Sequence, residues 1–225
     1  MAGYLSESDH QRVSVAVAAA ESRTAGEIVT VVADRSDGYS DIALAWAAVI
    51  AFTALSVFAL FPEFFLAKID WLLGGWGTDW SDSELLAIAA TLAVLKFLGV
   101  WLILLWQPLR FWLIPGPVKS ARARARAIEL FKVGAERRTH GRTGILIYLS
   151  MREHRAEIVA DEAIAGKVAA ETWGEAMAAM LAEIKAGRCA DGMIAAVEKV
   201  GAVLAEHFPR AEDDTNELPD RLIEL

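Results

Sequence analysis

The stretch Ile42–Phe61, IALAWAAVIAFTALSVFALF, decides how the rest of the chain is read. No charged residue falls between Ile42 and Pro62. A second stretch of the same kind, Leu85–Trp106 (LLAIAATLAVLKFLGVWLILLW), carries Lys96 as its one charge. Each is about 20 residues long, enough at about 1.5 Å per residue to cross a hydrocarbon core of about 30 Å. A core helix of a soluble protein is usually shorter and keeps a polar face, and neither stretch has one. Residues 42–107 therefore read as a transmembrane helical hairpin with a short outer loop. Tryptophan points the same way, since every Trp except Trp173 lies between Trp46 and Trp112. Trp71, Trp76 and Trp80 fall in the connecting loop with Phe64 and Phe65, and Trp106 and Trp112 flank the far end of the second span. Indole favours the headgroup layer, where its apolar ring and its N–H are both satisfied.

Charge on either side of the spans sets their direction. The loop Pro62–Glu84 has Lys68 alone against Glu63, Asp70, Asp79, Asp82 and Glu84, whereas Arg35, Arg110, Lys119, Arg122, Arg124 and Arg126 lie on the other side. Basic residues stay inside, so both termini are expected on the cytoplasmic face of a cytoplasmic (inner) membrane. Residues 1–41 open with Glu7, Ser8, Asp9 and His10, without the basic start and apolar run of a secretory signal. Cys189 is the single cysteine, which rules out an intramolecular disulfide and fits a reducing compartment. The chain of 225 residues carries a net charge of −8, partly from Glu212, Asp213, Asp214, Glu217, Asp220 and Glu224 in an acidic tail over residues 209–225. That tail reads as solvated. An acidic chain without a basic, aromatic groove is not expected to bind nucleic acid.

Outside the hairpin, residues 1–41 and 108–208 read as two parts of one domain. Ser6 caps a helix with Asp9 three residues on, Val13, Val17 and Ala20 share a face, and Gly26 lies past its end. Glu27–Ala33, EIVTVVA, is a β-branched strand. Beyond the second span Pro115-Gly116-Pro117 is expected to stop any helix. A helix then runs from about Ser120 to Arg138, with Ile128, Phe131 and Ala135 on one side. After Gly141 and Gly144, Ile145–Ser150 and Ala156–Ala160 read as a hairpin joined by Met151–Arg155. Trp173, Met177, Met180, Leu181 and Ile184 mark one closing helix, stopped at Gly187. Asp191 reads as the cap of the last, whose face is Ile194, Val197, Gly201 and Leu204. The first part offers one strand and the second a bare hairpin, which is marginal in water. Pairing Glu27–Ala33 with Ile145–Ser150 makes an α/β domain: a small mixed sheet of three or more strands, with helices on both faces. The helix after Ser120 then crosses over between parallel strands, with right-handed sense expected.

These residues resemble a known family. ESRTAGEIVTVVAD (Glu21–Asp34), RTHGRTGILIYLSMREHRAEIVADEAI (Arg138–Ile164) and GEAMAAMLAEIKAGRCADGMIAAVEKVGAVLAEHFP (Gly174–Pro209) resemble the opening segment, central hairpin and closing helix pair of TPM-domain proteins. That group includes a thylakoid lumen phosphoprotein, and the likeness is greatest to a bacterial membrane branch. The resemblance implies an α/β sandwich, calcium or similar ions in some members, and a phosphatase activity proposed for some. Many members keep the domain outside the cytoplasm behind a signal peptide, and here the domain reads as cytoplasmic and interrupted by two spans.

Chemistry-bearing residues are few. The chain has no P-loop, no G-x-S-x-G, no H-E-x-x-H and no zinc spacing, and His10, His140, His154 and His207 are scattered. Carboxylates at strand ends are the candidate ligands for a hard cation such as Ca2+ or Mg2+: Glu27, Asp34, Asp161 and Glu162. With an antiparallel third strand, Asp161 falls opposite Asp34 and nearer Glu27. The structural alternatives are that Asp161 or Glu162 caps the next helix and that Glu27 pairs with an arginine such as Arg155. Lys96, deep in its span, is costly there and so suggests a role, pairing with Thr53 or Ser56 or meeting a neighbouring subunit. Lys119, Arg122, Arg124 and Arg126 suit anionic headgroups or simply follow the positive-inside rule. The expected function is a membrane-anchored, non-enzymatic interaction or assembly module whose partners are the bilayer, other membrane proteins or a second copy. The alternative is a weak metal-dependent, phosphatase-like hydrolase.

Overall fold

The computed structural model describes residues 4–74, 79–134, 143–210 and 217–225. Trp76, Ala135, Arg138, His140, Gly141, Glu212, Asp213 and Asp214 lie outside the described residues. The chain divides into two compact units, Met1–Asp37 with Pro115–Leu225, and Gly38–Ile114.

The first unit is built on a mixed four-stranded sheet in the order β3-β2-β1-β4. β1 (Glu27–Ala33) runs parallel to β2 (Gly144–Ser150), with Glu27 opposite Gly144 and Ala33 opposite Ser150. β2 turns through Met151–His154 into antiparallel β3 (Arg155–Ala160), and His154 takes φ +52° in that turn. The expected mixed α/β sheet is thus present, with every residue of β1 and β2 buried as their unbroken apolar runs require. One face is covered by α1 (Glu7–Glu21), α8 (Trp173–Lys185) and α9 (Cys189–His207). Its core joins Val13, Val17, Ile28, Ile147, Met180, Met193, Val197 and Leu204. The other face is covered by α6 (Gly116–Gly134) through Ala123, Ala127 and Phe131, which meet Val29, Val31, Leu146 and Tyr148.

Local chemistry explains most boundaries. Ser6 and Asp9 close a reciprocal capping box on α1, each side chain taking the other residue's backbone N–H. Gly187 sits at φ +79° after α8, a conformation that a side chain makes costly. Pro115-Gly116-Pro117 does end a helix, the one over Gln107–Leu113, but the next helix, α6, begins at Gly116 rather than near Ser120. Pro117 lies in its first turn, where an N–H has no intrahelical partner in any case. The buried face of α6 accordingly starts earlier, at Ala123 and Ala127, and Ile128 is only partly covered. Asp191 is not the cap of α9: Arg188 holds that position, and Asp191 lies in the first turn, paired with Arg12 and with Arg188 at 3.6 Å. The described end of the tail is packed as well as solvated. Leu218 and Leu222 are buried, and β4 (Ile223–Glu224) adds to the sheet parallel to Val31 and Val32.

The second unit holds two long apolar helices, α2 (Ser40–Leu60, mean hydropathy 2.3) and α4 (Asp82–Ile103, mean hydropathy 2.2). By length and composition both are able to cross a membrane. They pack together, α2 contributing the small residues Ala43, Ala47 and Ala51 at four-residue spacing, which lets the backbones approach. The connecting segment is more ordered than a loop. α3 (Pro62–Leu73) starts on Pro62 and ends at Gly74 in the left-handed region, and it exposes Phe64, Trp71 and Leu72. After α4 a further short helix, α5 (Gln107–Leu113), sets Phe111 edge-on to Tyr39 at 5.4 Å. The short helix α7 (Glu162–Ala165) and a 3-10 turn, Ala170–Thr172, complete the first unit.

Candidate functional site

The predicted carboxylates separate to the two ends of the sheet. Because β1 and β2 are parallel and β3 returns, Glu27 and Asp161 lie at one end and Asp34 at the other. The antiparallel geometry weighed from the sequence is therefore the one adopted.

At the first end the main chain of Asp161 donates to the Gly144 carbonyl at 2.9 Å, continuing the β2–β3 ladder. Its Oδ1 accepts the Glu162 N–H at 2.8 Å, so Asp161 caps α7, while Oδ2 is buried without a hydrogen-bond partner among the described residues. Glu162 is the exposed first residue of that helix. Glu27 is buried, but it does not pair with Arg155, which stands at the opposite end of the sheet facing Ser150. Its carboxylate instead accepts the N–H groups of Glu217 at 3.3 Å and Leu218 at 3.1 Å, fastening the C-terminal segment to β1. Beside it is a residue that the sequence reading passed over. Glu21, the last residue of α1, is 7% exposed and accepts the Ile28 N–H at 2.7 Å. Burial pushes its carboxyl from 4.5 up to about 8, with the neighbouring charges of Glu27 and Asp220 adding to the effect. The signal for it was present: Val13, Val17 and Glu21 follow at four-residue spacing on one helix face.

The second end is where parallel strands finish, the usual mouth of an α/β sheet. Here Asp34 takes a hydrogen bond from Arg152 Nε at 2.8 Å and another from the Tyr4 hydroxyl. Although burial works against it, these bonds hold the Asp34 carboxyl below its ordinary range. Glu153, 2% exposed in the β2–β3 turn, accepts the Ser36 N–H at 2.9 Å and the Ser150 hydroxyl. The Tyr148 hydroxyl meets Ser36 Oγ at 3.0 Å, and burial raises it above its usual value. Arg122 pairs with Asp37. Sequence reading placed Glu153 in a charged turn, where nothing local marks a carboxylate for burial.

Chemically, both ends brace backbone. The second network joins the end of β1 to the β2–β3 turn, with Met151 N–H on Ala33 O and Arg152 N–H on Asp34 O, both at 3.0 Å. Among the described residues no group of three or more His, Cys, Asp and Glu side chains is placed to hold a metal ion. His10 pairs with Glu224 at 3.0 Å, tying α1 to the C-terminal segment. In the other unit Lys96 is exposed on α4. Thr53 and Ser56, its expected partners, bond back to the carbonyls of Val49 and Phe52 in their own helix, at 2.7 and 2.9 Å.

No curated protein matches the chain. Among solved structures it is similar to the NMR structure of the BA42 protein from the psychrophilic bacterium Bizionia argentinensis, with a TM-score of 0.57 and 17% identity, covering 100% of this chain and 98% of that one. At that identity the likeness is one of fold. The sequence likeness is local: residues 117–203, from the first turn of α6 to near the end of α9, match the family model of the TPM domain.

Proposed function

We propose that this protein is a membrane-anchored, TPM-like interaction or assembly module without enzymatic activity, held at the cytoplasmic face of the inner membrane. One observation carries the reading: two apolar helices of 21 and 22 residues stand in the sequence between β1 and α6, elements of a single α/β unit. The buried carboxylates of Glu21, Glu27 and Glu153 each accept a backbone N–H from another segment, an arrangement suited to a rigid platform. Lipid surrounds the exposed side of α4, and Lys96 there meets a second copy of the chain. Topology is tested in a Cys189→Ser background with single cysteines. Ser83→Cys is expected to react with an impermeant maleimide in intact cells, and Glu206→Cys only after lysis. The reverse pattern, or recovery of the chain in the soluble fraction, overturns the anchor.

A divalent cation, calcium or magnesium, has its best donor at the Glu27 end, where Asp161 keeps one buried oxygen unpartnered among the described residues. Calorimetric titration of the full chain is expected to show ion affinity falling at least tenfold in Asp161→Ala and unchanged in Asp34→Ala. Equal affinity in all three removes Asp161 from any ion site.

A further inference from the structure

β3 is an edge strand, and the bond from Asp161 N–H to Gly144 O fixes the phase of its ladder. In an antiparallel pair every second residue exchanges its hydrogen bonds with the neighbour. Counting back from Asp161, the residues Val159, Glu157 and Arg155 turn their N–H and C=O groups toward β2. Ala156, Ile158 and Ala160 turn theirs outward, and among the described residues no other backbone group bonds to them. Three spaced donor–acceptor sites thus form a free edge.

A groove of about 430 Å³ runs along this edge. Its two sides differ in chemistry. Ala156, Ile158 and Ala160 lie against the core under α8 and α9, where Val168, Trp173 and Met177 line the groove. On the other side of the sheet Arg124 of α6 meets Glu157 at 3.2 Å. Arg155, on that same side, donates to Ser120 Oγ and to the His154 carbonyl, and no described carboxylate reaches it. Small residues keep the groove open; Gly174 has space where a Cβ would stand, with nothing within 4 Å.

We propose that the β3 edge receives an extended segment of a partner protein as an added strand, one whose apolar side chains alternate with acidic ones. The inference rests on the interaction-module reading and gives its partner a chemistry. Main-chain bonds to Ala156, Ile158 and Ala160 supply the pairing, and side chains of an added strand alternate between the two faces. Those on one face pack on Trp173 and Met177; those on the other bring carboxylates to Arg155 and Arg124. α8 and α6 wall the groove on either side, so one extended chain fits where a second sheet with its own covering helices does not.

The test uses the full chain in lipid nanodiscs and fluorescein-labelled octapeptides, alternating Val and Glu or alternating Val and Lys. The Val–Glu peptide is expected to bind saturably, at least tenfold more tightly than the Val–Lys peptide, and to slow hydrogen exchange at Ala156, Ile158 and Ala160. Gly174→Trp fills the groove from an open position. Ala160→Pro deletes one outward N–H and leaves the ladder to β2 intact. Each is expected to abolish binding while exchange within β2 stays as in the parent. No saturation up to millimolar peptide, equal binding of both peptides, or undiminished binding by both variants overturns the proposal. So does a dimer of the chain that Gly174→Trp dissociates while the peptide fails to bind. Maleimide labelling of the spans is read separately, so failure here leaves the membrane anchor standing.

Discussion

Gly201→Val is expected to destabilise the α/β unit by about 1–3 kcal/mol, the range for overpacking a well-packed contact. α1 and α9 meet where Ala20 faces Gly201. A Cβ added at Gly201 would stand 2.7 Å from the Ala20 Cβ and 3.5 Å from its Cα. These atoms belong to the helix body and have no flexible end to swing aside, so the helices must separate. Separation exposes Ile28, whose Cδ1 lies 4.0 Å from the same point, along with the core around Val17 and Val197. Helix propensity works the other way, since Gly costs about 1 kcal/mol relative to Ala inside a helix. Gly201→Ala should therefore lose less than valine does. Pairing it with Ala20→Gly should recover most of that loss, a non-additivity expected of touching residues. Hydrogen exchange of α1 and α9 in the full chain reads the effect. Unchanged protection in Gly201→Val would show that the two helices do not meet at this point.

The second large effect depends on pH. Glu21 has its carboxyl raised from 4.5 to about 8, chiefly by burial. An unfolded chain releases this proton near pH 4.5, whereas the folded one keeps it until near pH 8. Between those values the unfolded state binds fewer protons, so stability falls as pH rises, by up to about 1.4 kcal/mol per pH unit. The contribution of protonated Glu21 is full below pH 4.5 and is lost as pH rises through about 8. Glu21→Gln keeps an oxygen for the Ile28 N–H and removes the ionisation. It is expected to stabilise the unit at pH 8 by about 2 kcal/mol or more and to flatten the slope between pH 5 and 8. Protection of the β1 amides Ile28–Val32 against exchange, corrected for intrinsic rates, measures it. A slope the same in Glu21→Gln as in the parent assigns the pH dependence to another group.

Much of this architecture was legible from local patterns. A β-branched run marked β1, the alternation of apolar run, charged turn and second run marked β2 and β3, and a serine three residues before an aspartate marked the start of α1. The need for both chain segments to complete one sheet followed from counting strands. What failed locally was position within a turn or cap. Pro117 is compatible with a first helical turn, and Asp191 prefers a place inside the first turn of α9, where Arg12 can reach it. Two residues of β4 carry no periodic signal, and they become a strand only because β1 offers a free edge.

The candidate carboxylates show the boundary between the two kinds of information. Their place along the chain told which strand end each belongs to, and the antiparallel return of β3 told which ends coincide. Their partners were not readable. Glu27 is satisfied by N–H groups 190 and 191 residues away, and Glu153 by Ser36, 117 residues earlier. Hydropathy, strand propensity and capping act over a few residues, so the sequence alone determined the two long apolar helices, the first three strands and some helix ends. Burial and desolvation depend on which distant segments close over a side chain. Only the tertiary structure therefore decided that Glu21 holds a proton, that the C-terminal segment is fastened to β1, and that the β3 edge stays open.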